Sequence, residues 1–299
     1  MYAITGITGK VGSELARTLL AAGKPVRAIV RDAGRGRAWV AQGCELALAN
    51  MNDRAALTSA FTGADAVFIL PPPEFDPEPG YPEAQAVIEA IVEALATTKP
   101  RKALCLSTIG PDAVHDNLLS QRTMMETALR ELPLLLTILR PAWFLDNVAW
   151  DVASACETGL IHSFLQPMDR PFPMVAAKDV GRVAADLIQE DWACRRVIEL
   201  EGPNRITPNA LAEAFTTVLG KAVRAVPVPR ESWDQLFRLQ GMRNPEPRIR
   251  MLDGFNESWI EFRNGGDHAI KGRIDAVSVV ADLVAKASAP DCAAPVRSA

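Results

Sequence analysis

Three glycines spaced as GxxGxxG, in Gly6-Ile7-Thr8-Gly9-Lys10-Val11-Gly12, lie between an apolar run at residues 1–5 and an amphipathic run at residues 10–22. In a strand–turn–helix setting each glycine has a separate task. The first allows a tight turn, the second lets backbone approach a pyrophosphate, and the third lets helix pack on strand. The start of the helix adds free N–H groups and positive dipole, so Thr8, Lys10 and Val11 join the glycines as candidate phosphate-side residues. A second apolar run, residues 26–30, ends in Val30 and is followed by Arg31. An NAD site would place Asp or Glu there to hold the ribose hydroxyls. A guanidinium suits a 2′-phosphate instead, which it can meet through two parallel N–H bonds. The cofactor these residues point to is NADP(H). Lys10, Arg35 and Arg37 add positive charge nearby, whereas Asp32, one residue on, should point away. Ser107 and Thr108 end a later apolar run, where their hydroxyls could serve a substrate acceptor or cap the following loop. His115 reads as a loop histidine that could also supply a proton.

Positioning these groups takes an alternation of strands and helices. Apolar runs at residues 1–5, 26–30, 45–49, 66–70, 103–107 and 135–139 read as strands. Periodic stretches at 10–22, 35–42, 54–61, 83–97 and 115–131 read as helices, with Gly23 closing the first and Asp53 capping the third. Pro71–Pro73 must leave the sheet, because proline has no N–H for a ladder. The fold class this predicts is α/β: a doubly wound parallel sheet of Rossmann type, with right-handed crossovers and ligands at the carboxyl ends of the strands. Residues 1–150 are expected to form the NADP(H)-binding domain. Farther on, prolines at 141, 167, 171, 173, 203, 208, 227, 229, 245 and 247 shorten the elements. They leave helices at 177–190, at 208–219 (Thr207 as cap, Pro208 first) and at 232–240. Residues 151–286 therefore read as a smaller, mostly C-terminal substrate lobe interleaved with the sheet, and 287–299 as a disordered tail.

The segments TGITGKVG (5–12), AIVRD (28–32), LSTIG (106–110), ETALRE (126–131), TILRPAWFLDN (137–147), residues 173–179 and VLGKAVRAVPVP (218–229) together resemble the NmrA-like branch of the atypical short-chain dehydrogenases/reductases. The resemblance covers nearly the whole chain. It implies an NADP(H)-dependent reductase of quinone, azo or imine-type acceptors, similar to clavine dehydrogenases. The branch also holds NADP(H)-binding regulators without known turnover, so a redox sensor acting through a protein partner is the second reading. The resemblance further implies that Asn50 and Met51 meet the adenine and that Leu70, Pro71 and Pro72 run beside the cofactor. Trp143, Phe144 and Asn147 would face nicotinamide and substrate, with Phe172 and Trp150 as further walls. The tyrosine and lysine of typical short-chain dehydrogenases are missing. Leu118 and Arg122 stand at their positions, Tyr2 lies in the first strand, and Tyr81 is followed four residues on by Gln85. Arg122 cannot act as a neutral base, since its pKa exceeds about 12, but it can hold ribose hydroxyls or a substrate oxygen. Without a tyrosine acid, acceptors that need little protonation are favoured over unactivated ketones.

Composition removes other classes. The 299 residues are 48% hydrophobic and 23% charged, as in an ordinary globular protein, and the net charge of -4 speaks against a nucleic-acid surface. Five scattered cysteines without a CxxC pair and three histidines without ligand spacing argue against disulfides or a metal site. No apolar run approaches the roughly 20 residues of a membrane helix. The expectation is a cytoplasmic protein with a small-molecule substrate, no nucleic-acid or membrane partner, and a homodimer as the oligomer to test.

Overall fold

A computed structural model describes residues 1–288, so the tail expected to be disordered lies almost wholly outside the described residues. The chain begins as β1 (Tyr2–Ile4), α1 (Lys10–Ala21), β2 (Val26–Val30), α2 (Ala33–Val40), β3 (Glu45–Leu48), α3 (Arg54–Phe61), β4 (Ala66–Ile69) and α4 (Pro82–Thr98). It continues as β5 (Lys102–Leu106), α5 (Ser120–Arg130), β6 (Leu135–Pro141), β7 (Trp143–Phe144), α6 (Val152–Thr158), β8 (Leu160–Ser163) and β9 (Met174–Val175). Then come α7 (Ala177–Gln189), β10 (Arg196–Glu201), α8 (Pro208–Leu219), β11 (Arg224–Pro227), α9 (Trp233–Leu239), α10 (Glu246–Glu257), β12 (Ile270–Lys271) and α11 (Ala276–Ala287).

Eight strands form one sheet in the order β3-β2-β1-β4-β5-β6-β10-β12, and every pairing in it is parallel. The order reverses between β1 and β4, which makes their carboxyl ends the switch point of the doubly wound fold. Helices cover both faces. Val11, Leu15 and Leu19 of α1 and Val180, Leu187 and Ile188 of α7 are buried in one core cluster, and Leu57, Ile91, Leu95 and Met125 of α3, α4 and α5 in the other. Strands buried on both faces read as continuous apolar runs, which is why β4 and β5 were legible.

The C-terminal half returns to this sheet. After the short β7–β9 pair, α7 packs on α1, and β10 and β12 extend the sheet beyond β6. The remaining segments include the β8–β11 pair and helices α8 to α10, whose Phe215, Trp233, Phe237 and Phe255 share the α1–α7 core cluster. The expected helix at 115–131 starts later, at Ser120. Residues 115–119 are held as a turn in which Asn117 Oδ1 accepts from Leu119 N. Helices α10 and α11 escape a reading from periodicity. In α10, Pro245 and Pro247 look like breakers but sit at the N-terminus, where amides need no partner, while Gly254 interrupts the pattern.

Close approach of α1 and α7 requires Gly181. A Cβ there would lie 2.6 Å from both the Val11 carbonyl oxygen and Glu14 Cβ. Gly181→Ala gains about 1 kcal/mol of helix propensity but must displace backbone, which costs about 1–3 kcal/mol. A net loss of stability is expected, read as a lower urea midpoint; an unchanged or higher midpoint would show that the helix pair can slide apart freely.

Candidate functional site

The switch point is built by Thr5 and Gly6. The buried Thr5 hydroxyl donates to Phe68 O at 3.1 Å and accepts from Leu70 N at 2.8 Å, tying the ends of β1 and β4 together. Gly6 then turns with φ +65°, and a Cβ on it would meet Leu70 Cδ2 at 2.8 Å. Gly12 is a packing glycine, since a Cβ there would sit 2.3 Å from Gly6 O. Gly9 differs: a Cβ there would make one tight contact, Gly6 O at 3.3 Å, with no other such atom within 4 Å, which leaves room on its outer side. It is also the N-cap of α1, with no side-chain cap, which leaves first-turn N–H groups for a ligand.

From this turn opens a cleft of about 1100 Å³. It brings together Gly6, Thr8, Gly9, Lys10, Val11, Arg31, Asn50, Met51, Leu70, Pro71 and Pro72 from the expected cofactor side. Ser107, Thr108, Arg122, Trp143, Phe144, Asn147 and Trp150 line it as well. Gly12 lies just beneath, buried by its packing role. Arg31 is exposed at the end of β2 and makes no ion pair among the described residues. Asp32 is occupied as the N-cap of α2, accepting from Arg35 N at 3.1 Å. Lys10 is not free, because its ammonium lies 3.2 Å from Asp146, whose other oxygen accepts from Ala177 N at 2.7 Å.

Two expectations need correction, and His115 keeps its reading as a loop residue. Phe172 is not a cleft wall: its ring is buried under the Arg170 guanidinium at 5.1 Å, and its backbone pairs with Ile206. Ser107 lines the cleft, but its hydroxyl donates to Glu126 at 2.5 Å, so that proton is committed inward. Arg140 grips the same carboxylate with Nε at 2.9 Å and Nη2 at 2.6 Å, and reaches Asp112 with Nη1 at 3.1 Å. Burial alone would push the Asp112 carboxyl up, but Arg263 and Arg140 outweigh it and hold the group below its ordinary value. Thr108 is thus the strand-end hydroxyl left without an internal partner among the described residues. His115 does not line the cleft; it packs edge-on against Trp259 at 5.2 Å.

Arg122 points back at the proline run, donating from Nη2 to Pro71 O at 3.2 Å and lying 3.5 Å from Pro72 O. Burial pushes its guanidinium below its usual value, yet arginine stays cationic at neutral pH. Neither tyrosine reaches the cleft, and Tyr81 is used structurally, donating to Asp116 and to Asn117 O.

Several lining residues were not anticipated. Helix α10 presents Arg248, Met251, Leu252 and Phe255 to the cleft, and Phe255 meets Trp143 edge-to-face at 5.1 Å. That i, i+3, i+4, i+7 spacing was present in the sequence, hidden by its prolines. Asp151 and His162 also line the cleft, with His162 N donating to Asp151 at 3.3 Å. Burial raises the Asp151 carboxyl to about 6, more than the His162 contacts lower it.

A parallel sheet in this order, with a glycine turn at its switch point and an open cleft beside it, defines a dinucleotide-binding α/β protein of Rossmann type. The chain belongs to the NmrA-like family, which matches residues 2–258. It is similar to the NAD(P)H azoreductase of Xenophilus azovorans, 26% identical over 261 residues that cover 86% of this chain and 85% of the relative. Among solved structures it resembles the Citrobacter sp. triphenylmethane reductase complexed with NADP(H). That match has a TM-score of 0.78 at 20% identity, covering 94% of this chain and 99% of that one. The NADPH complex of the Escherichia coli quinone oxidoreductase QOR2 matches with a TM-score of 0.71 at 22% identity and 95% coverage of each chain. At these identities the two structures establish a shared fold.

Asp151 carries a pH signature. Its folded pKa of about 6 exceeds the ordinary 3.8, so between those values the folded state holds a proton that the unfolded chain has lost. Stability from this group is therefore present below about pH 4 and is lost as pH rises through 6. Asp151→Asn, neutral throughout, is expected to match the native protein near pH 4 and exceed it at pH 8. Urea midpoints at the two pH values check this, and a difference independent of pH would contradict burial as the cause.

Proposed function

We propose that this protein is an NADP(H)-dependent oxidoreductase that reduces a planar, conjugated acceptor of the quinone, azo or imine/iminium type. The observation that carries the reading is one continuous cleft with a phosphate-accepting turn and Arg31 at one end and an aromatic wall at the other. The room on the outer side of Gly9 fits a pyrophosphate, and the absence of a carboxylate at Val30 fits a 2′-phosphate met by Arg31. In this reading Asn50 and Met51, which line the same cleft, take the adenine, and Leu70, Pro71 and Pro72 run beside the cofactor. When bound, NADPH supplies the hydride.

The chain's own residues do the rest. Thr108 offers its hydroxyl to the acceptor, while Arg122, held by the Pro71 carbonyl, orients ribose hydroxyls or a substrate oxygen. Trp143 with Phe144 and Asn147 forms the wall against which a flat acceptor lies, and Phe255 meets Trp143 edge-to-face along it. No tyrosine acid faces the cleft, which suits acceptors whose reduced form is a stabilised anion or whose starting form is a cation. The relatives named for azo, triphenylmethane and quinone substrates support this acceptor class.

Two measurements test it. Calorimetry is expected to show NADPH binding more tightly than NADH, with Arg31→Ala weakening NADPH by roughly ten- to a hundredfold, the loss of about 1.5–3 kcal/mol for one charge-assisted pair. Equal native affinities would sink the 2′-phosphate assignment. NADPH oxidation is expected with quinones, azo dyes or iminium compounds and little or none with simple ketones. A panel on which nothing is reduced, with NADPH still bound and altering affinity for a protein from lysate, would replace the enzyme with a redox sensor.

A further inference from the structure

Arg248 sits in the cleft without an acid to answer it. Its guanidinium lies 4.4 Å from the centre of the Phe237 ring and 5.7 Å from that of Trp150. Its polar contact is weak, from Nη1 to the Met242 sulfur at 3.6 Å. No carboxylate among the described residues comes within ion-pair distance of it. Burial pushes its pKa below the ordinary value, the mark of a cation that has lost water and gained no counter-charge. Ring faces make up only part of the hydration such a group has lost. By contrast, the partly buried Arg205 is held by Glu261 at 2.9 Å, and Arg122, the cleft's other buried arginine, is answered by the Pro71 carbonyl at 3.2 Å.

The cleft's own carboxylates are engaged elsewhere. Asp146 is paired with Lys10 and caps the start of α7, and Asp151 accepts from His162 N. The cofactor's phosphates would lie on the far side. The glycine turn and Arg31 follow β1 and β2, whereas α10 is tied to the segment between β5 and α5, where Leu118 N donates to Pro247 O at 2.9 Å. Around Arg248 the helix offers only apolar cleft residues, Met251, Leu252 and Phe255, with Trp150 and Phe164 nearby on the same cleft.

We infer that Arg248 is the specificity-determining residue for an acceptor carrying an anionic substituent, a carboxylate, sulfonate or phosphate, at the edge of its apolar body. The guanidinium fork meets such a group through two parallel N–H bonds, and the buried Phe237 ring beside it limits the water that can compete. Met251, Leu252 and Phe255 hold the apolar body and leave the anion as the one polar feature recognised at this end. The inference deepens the reductase reading and rests on the cleft being the acceptor site. Its test is therefore a binding measurement that does not depend on turnover.

The probes are naphthalene-2-sulfonate and its neutral relative naphthalene-2-sulfonamide, titrated into the full chain in saturating NADP+, which fills the anion-accepting turn. The sulfonate is expected to bind about tenfold or more tighter, the equivalent of one charge-assisted pair. In Arg248→Met that preference should vanish while the sulfonamide keeps its affinity within about twofold. Arg248→Gln, which retains a polar side chain, serves as the second variant if Arg248→Met does not fold, with the same expected loss. The preference should also shrink as salt is raised. Equal binding of both probes to the native chain would overturn the inference, as would a preference that survives in either variant. Failure of every acceptor in the NADPH panel would instead count against the reductase reading, leaving the anion preference to be judged by these titrations alone.

Discussion

The buried pair of Glu126 and Arg140 is the constraint on which the cleft's middle depends. Both side chains are almost fully excluded from solvent, at 3% and 1% exposure. Two charges so placed have surrendered hydration worth several kcal/mol each, and only close geometry and further hydrogen bonds repay it. The repayment comes from four places at once: Ser107 at the end of β5, Arg130 one turn along α5, Asp112 in the loop and Arg263 reaching that Asp112 from the C-terminal segment. The network sets where α5 stands relative to β5 and β6. It thereby sets where Arg122, one turn before Glu126, meets the proline run. It also explains why a serine at a strand end, an inviting proton donor in sequence, spends its proton inward.

The glycine turn shows the same economy in steric terms. Three glycines that look equivalent in the motif differ in their surroundings: Gly6 takes a positive φ against Leu70, Gly12 packs on the backbone of its own turn, and Gly9 leaves room on its outer side. Gly181 adds a fourth close approach on the helix that packs against α1. Because α7 then leads into β10, that helix pair is also the route by which the C-terminal half rejoins the sheet.

Much of this was legible beforehand, for a physical reason. Doubly buried strands such as β4 and β5 are apolar throughout, and a tight strand-to-helix turn needs glycine at fixed offsets, so these strands and the glycine turn leave marks in local sequence. The rest is written in long-range contact. Nothing local to Asp151 reveals that β8 will bring His162 against it, and nothing local to Phe172 reveals that Arg170 and Ile206 will bury it. Helix α10 was illegible for a third reason. Its prolines are harmless at a helix start and disruptive anywhere else, and periodicity alone does not say which applies.

Helix α10 supplies no strand to the sheet and no residue to the glycine turn, yet one of its faces lines the cleft for two turns. The glycine turn at one end of the cleft is built largely from backbone, where a Cβ at Gly6 or Gly12 would meet protein atoms. To the cleft's acceptor-side wall α10 adds four side chains, on a helix whose other face holds it in place through buried Ile249. Selection can therefore rewrite the second without renegotiating the first. A few point changes on this one helix face would reshape the cleft wall while the backbone of the glycine turn stays as it is.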